Sequence, residues 1–175
     1  MENGQVRTCG TCSFCCKVLG IDELRKPPSV WCSHAEIGKG CKIYEDRPES
    51  CRVFRCLWLI DSRLPDEMRP DKTKVVFHVE KDKGRLKVNV DPDRPDAWKK
   101  GLVGQYIGMV RSLGVDVLIV CGLKKNLRTA YERELDERAA GADNGGVNQF
   151  ESLTLDQKGP DLHPHPLIRD TILGR

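Results

Sequence analysis

The chain has 175 residues, 39% of them hydrophobic and 31% charged, and a net charge of +3 at pH 7. That is enough apolar material for one modest core, and so small a charge of mixed sign gives no support to a nucleic-acid partner. No apolar run approaches the ~20 residues of a membrane helix, and the polar start Met1-Glu2-Asn3-Gly4-Gln5 lacks the apolar stretch of an export signal, so the chain reads as cytoplasmic with no membrane partner.

Residues 1–62 carry eight of the nine cysteines, all between Cys9 and Cys56. Clustered cysteines mean either a disulfide scaffold or a metal site, and without an export signal the metal site is the better reading. The first group is Cys9-Gly-Thr-Cys12-Ser-Phe-Cys15-Cys16. Two-residue gaps let the chain turn back so that two sulfurs face one centre, with backbone N–H groups of the turn free to donate to sulfur. Cys9, Cys12 and Cys15 match the first three cysteines of the bacterial ferredoxin run, but Leu19 stands where the fourth belongs. Cys15 and Cys16 are adjacent, so their side chains diverge: either they serve two centres, or one is a spare or reactive thiol.

The second group is Cys32, Cys41, Cys51 and Cys56. Pro48 suits the first position of a short helix, which puts Cys51 about one turn in, where the helix dipole favours a thiolate. Val53, Phe54, Leu57, Trp58 and Ile60 give that helix an apolar side. Four thiolates around a divalent ion leave a charge of about −2, which Lys17, Lys39, Lys42, Arg47, Arg52 and Arg55 can offset if they are more than solvated surface residues.

Residues 63–72, with Pro65 and Pro70, read as a polar connector. Residues 73–140 read as a small α/β unit. Val75, Phe77 and Val79 alternate with Val76, His78 and Glu80; after Lys81-Asp82-Lys83-Gly84, Leu86, Val88 and Val90 alternate with Arg85, Lys87 and Asn89. Two period-two runs around such a turn predict a β-hairpin with one buried face, leaving His78 on the polar side as an ordinary surface residue. Helix-start chemistry at Asp93-Arg94-Pro95-Asp96 precedes Trp98, Leu102, Tyr106, Val110 and Leu113 at helical spacing, and Gly114 suits the stop. Val115 to Cys121 reads as a buried strand with Cys121 a small core residue, and residues 124–140 read as a charged helix. Residues 141–175 read as linker and extended tail, whose His163 and His165 are surface residues. The expected fold class is α+β: a cysteine-rich metal-binding N-terminal module packed with a β-β-α-β unit and an extended C-terminal tail.

The spacing Cys9 to Cys16, followed by Cys41-Lys-Ile43-Tyr44-Glu-Asp-Arg47-Pro48-Glu-Ser-Cys51-Arg52-Val-Phe54-Arg-Cys56, resembles the CxxCxxCC-type zinc- or iron-chelating family, often called YkgJ-like. The resemblance spans about residues 9–60. It departs where the family often has proline before the last cysteine, here Arg55, and an aromatic after the third block, here Ser33-His34-Ala35, which raises His34 as an extra ligand or a plain surface histidine. The resemblance implies zinc or iron, including a [4Fe–4S] cluster, held by Cys9, Cys12, Cys15, Cys16, Cys32, Cys41, Cys51 and Cys56. The flagellin lysine N-methylases look like relatives with the same cysteine pattern, a branch associated with an iron–sulfur cluster and methyl transfer.

Three functions follow as expectations. The first is a metal-binding protein whose site is mainly structural, with the α/β unit meeting any protein partner. The second is an iron–sulfur protein in electron transfer or a protein-modifying reaction, shielded by Phe14, Trp31, Phe54 and Trp58. The third is a metallochaperone or thiol-redox protein. No residues form a catalytic pair, and no glycine-rich nucleotide loop follows a strand.

Overall fold

Short elements fill the first seventy residues, where no apolar pattern runs long enough for a full helix or strand. The computed structural model describes residues 7–122, and residues 124–128 for their backbone alone. In chain order come α1 (Cys15–Val18), β1 (Ala35–Glu36), β2 (Gly40–Cys41), α2 (Glu49–Val53), α3 (Leu57–Ile60) and α4 (Pro70–Thr73). Then follow β3 (Val75–Glu80), β4 (Arg85–Val90), α5 (Gly101–Ser112), β5 (Asp116–Cys121) and β6 (Lys124–Arg128). The fold is mixed helix and sheet, α+β as expected at the level of class.

The four-stranded sheet has the order β3-β4-β5-β6. The hairpin β3–β4 is antiparallel, with Val75 opposite Val90 and Glu80 opposite Arg85. Its turn is a 3-10 stretch over Lys81–Lys83 closed by Gly84 at φ +59°, a left-handed conformation that glycine adopts without strain. β4 runs parallel to β5, which requires a crossover, and α5 supplies it. β6 pairs antiparallel with β5. Residues 124–128 are therefore a fourth strand rather than the start of a charged helix; lysine-rich sequence suits a sheet edge, where charge discourages further pairing. Residues 129–175, and with them the rest of the expected helix, the linker, the tail, His163 and His165, lie outside the described residues.

The helix begins later than its start chemistry suggested. Ala97–Lys99 forms a separate 3-10 turn, Lys100 takes extended backbone, and α5 starts at Gly101. It buries Val103, Tyr106, Ile107 and Val110 at helical spacing and ends before Gly114, whose φ of +79° fits the left-handed stop. Tyr106, fully buried, lies 5.4 Å from the Phe77 ring and fixes α5 on the sheet. Cys121 is half-buried against this core.

The stretch 63–72, expected as a polar connector, holds a 3-10 turn at Asp66–Met68 and then α4, and it buries Leu64 and Met68 in the same core as Leu57, Val75, Phe77, Leu86 and Tyr106. The second face of the hairpin is covered as well. Val76 is fully buried against Phe14 and Val18, and Asn89, its cross-strand partner, is 4% exposed. The cysteine-bearing segment is what lies there. Among the described residues no helix is long and apolar enough to cross a membrane.

Candidate functional site

Each cysteine is positioned by contacts distant in sequence. Cys12 N–H donates to the Cys9 carbonyl at 2.8 Å, the turn that two-residue spacing allows. Phe14 then plugs α1 onto the sheet, with Trp31 edge-on to it at 6.4 Å, so Cys15 and Cys16 leave from a fixed first turn. Cys32 N–H donates to the Cys16 carbonyl at 3.1 Å, and the small β1–β2 ladder sets Cys41 opposite Ala35. α2 carries Cys51. It starts at Glu49, with Pro48 one place earlier as its cap residue, and the Glu23 carboxylate accepts from Ser50 N–H at 2.9 Å and Ser50 Oγ–H at 2.7 Å. Helix-start N–H groups lack internal partners, and Glu23 supplies one from outside the helix.

Cys56 precedes α3, whose end is held by Arg7. The Arg7 guanidinium donates to the carbonyls of Trp58, Asp61, Ser62 and Leu64 at 2.7 to 3.0 Å and stacks 4.6 Å above the Trp58 ring. The last carbonyls of a helix are acceptors without partners, so a cation two residues before Cys9 brings the two ends of the cysteine segment together.

The result is a cavity of about 600 Å³ lined by all eight of Cys9, Cys12, Cys15, Cys16, Cys32, Cys41, Cys51 and Cys56. A second, small cavity of about 20 Å³ is lined by four of them, Cys9, Cys12, Cys15 and Cys56, with Trp58, Leu59, Pro70 and Val76. All nine cysteines are free thiols, so a disulfide scaffold is not what holds this segment. The donor chemistry suits a thiophilic metal or cluster. The spacing is open: among the described residues no three His, Cys, Asp or Glu side chains are grouped closely enough to hold a single ion. Sulfurs around one zinc stand about 3.8 Å apart, as Zn–S bonds of about 2.3 Å in a tetrahedron require.

Electrostatics divide the thiols. Cys15 donates its S–H to Cys16, which pushes the Cys15 pKa well up and brings the Cys16 pKa down, the latter against the cost of burial and with help from Lys26 and Arg47. Burial raises the Cys9 and Cys12 thiols, and raises Cys56 to about 11. Backbone N–H groups pull the other way: those of Phe14 and Asp71 face the Cys12 sulfur, and those of Leu59 and Trp58 face Cys56. Cys51 was expected to ionise easily near a helix start; instead burial raises its pKa, with neighbouring Cys16, Glu23 and Cys32 acting the same way and a hydrogen bond with Ser50 opposing them.

Of the cations expected to offset thiolate charge, Arg47, Arg52 and Arg55 line the cavity. Lys17 is taken by Asp91 and Asp93, and Lys39 by Glu36. Sequence reasoning passed over Lys26, which is buried, donates to the Leu19 and Pro27 carbonyls, and interacts with Cys32, Cys16, Cys15 and Cys51. His34 also lines the cavity.

The far wall comes from the sheet. His78, Glu80, Lys87 and Asn89 line the same cavity, so the polar face of the hairpin looks into the site rather than into solvent. His78 is half-buried, with its ring 5.2 Å from Phe54, and burial lowers its pKa despite Glu80 nearby. The period-two alternation places these four residues on one face; nothing local in sequence says what covers it. Comparison with protein-family models, with curated proteins and with solved structures finds no match.

Proposed function

We propose that this is a metal-binding protein that chelates zinc or an iron–sulfur cluster through its clustered cysteines. One observation carries the reading: eight unpaired thiols from five separate stretches of chain line a single cavity. Gathering so many half-buried sulfurs at one cavity without disulfides has an evident use if they are ligands, and the motif resemblance points the same way. A metal held by thiolates supplies folding free energy, and an iron–sulfur cluster also supplies one-electron chemistry.

The thiols fall into two sets. Cys9, Cys12, Cys15 and Cys56 enclose the small cavity, whose remaining lining of Trp58, Leu59, Pro70 and Val76 keeps water off. Cys16, Cys32, Cys41 and Cys51 face only the large one. This division assigns adjacent Cys15 and Cys16 to different centres, with the hydrogen bond between their sulfurs lying where the two sets meet.

Anaerobic purification followed by analysis for zinc, iron and acid-labile sulfide tests this, together with the absorbance near 400 nm that marks an iron–sulfur cluster. Cys12→Ser and Cys51→Ser should each lower the metal content, by separate portions if there are two centres. Wild-type protein free of metal after reconstitution, or a Cys51→Ser variant with the full complement, refutes the assignment.

A further inference from the structure

We propose that the sheet wall of the large cavity is a binding site for a small molecule presenting a carboxylate or phosphate oxyanion. Asn89 is 4% exposed, lines the cavity, and its Nδ2 has no hydrogen-bond partner. A buried donor without an acceptor costs free energy, and its persistence at a cavity wall fits a ligand that supplies the acceptor. Lys87 is two residues away on the same face of β4, and His78 is its cross-strand partner. The single carboxylate of this wall is already engaged: Glu80 pairs with Arg85 at 2.6 Å and with Lys87 at 3.5 Å.

The surrounding charge has the sign for an anion. Arg47, Arg52 and Arg55 line the cavity, and among the described residues none of them pairs with a carboxylate. Arg52 donates to the Arg47 and Glu45 carbonyls rather than to a carboxylate, and Arg47 Nε is buried without a partner. An oxyanion entering this wall meets the Asn89 amide N–H and the Lys87 ammonium, both donors, and a charge-assisted bond such as that from Lys87 is the stronger sort. At about 600 Å³ the cavity has the size of a small-molecule site. The inference adds a substrate side to the proposed thiol centre and rests on that reading for its setting; the wall residues bind or fail to bind on their own account.

The test is calorimetric titration of the anaerobically purified full chain, its metal content assayed, with citrate and with inorganic phosphate at low ionic strength. At least one anion should bind at one site, and added salt should weaken it. The tighter of the two identifies the ligand as carboxylate- or phosphate-bearing. Lys87→Ala and Asn89→Ala should each weaken binding about tenfold while metal content and circular dichroism stay as in the wild type. Lys87 is only half-buried, so its variant keeps the test open if the Asn89 variant folds badly. Binding of neither anion, or equal binding by both folded variants, overturns the proposal. Wild-type protein that carries no metal yet binds an anion through Lys87 and Asn89 keeps this inference and sinks the metal reading.

Discussion

Lys17 Nζ lies 2.6 Å from Asp91 Oδ1, with the two side chains 10% and 6% exposed. Lys17 follows Cys16 on α1 and Asp91 follows the last residue of β4, so this pair fastens the cysteine segment to the sheet across 74 positions of chain. Asp93 adds a second oxygen at 2.6 Å but is 75% exposed. Burial disfavours the ammonium; the hydrogen bonds to Asp91 and Asp93 outweigh it and raise its pKa.

Lys17→Met should therefore cost about 3–5 kcal/mol, because Asp91 is left charged and buried without its partner. Asp93→Asn should cost less than about 1 kcal/mol, as for an exposed pair. Urea titration followed by tryptophan fluorescence measures both. A loss of under ~1 kcal/mol for Lys17→Met would show that the pair does not fasten the two parts.

Arg7→Ala should destabilise by about 2–3 kcal/mol, since four carbonyls at the end of α3 lose one charged donor. It should also lower the metal content on elemental analysis, because Cys9 and Cys56 are brought together by this contact. Arg7→Lys should rescue little: an ammonium cannot reproduce the planar fork that reaches four acceptors.

Metal removal should unfold the N-terminal segment before the sheet. A strong chelator should lower the melting temperature and speed amide exchange in residues 9–56, while β3, β4 and β5, with Val75, Leu86 and Val117 fully buried, stay protected. Uniform exchange with and without chelator would argue against metal-coupled folding.

Acid should weaken the hairpin through Glu80. Burial raises its pKa, but the hydrogen bond from Arg85 and the charges of Lys87, Arg85 and Lys83 prevail and hold it below the ordinary 4.5. The unfolded chain then binds the proton more readily, so the stabilisation is present above pH 4.5 and is lost as the pH falls through the lower folded value. Denaturation midpoints from pH 6 to pH 3 should drop less for Glu80→Gln than for the wild type; parallel curves would remove Glu80 from the account.

The amino-acid sequence by itself determined what depends on neighbouring residues. The alternation Val75 to Glu80 and Arg85 to Val90 made a hairpin, Gly84 closed it, and the spacing of Tyr106 and Val110 made α5 an amphipathic crossover. The density of cysteine in residues 9–56 named the region where the chemistry would be sought. Only the tertiary structure decided where those thiols meet and what faces them. Arg7 against the end of α3, Lys17 against Asp91 and Glu23 against Ser50 are single side chains acting over 27 to 74 residues, and no periodicity records them. The same is true of His78, Lys87 and Asn89: period two placed them together on a polar face, but a polar face turned to water and one turned into a thiol-lined cavity have the same pattern. The difference is a long-range packing event, Phe14 and Val18 closing on Val76.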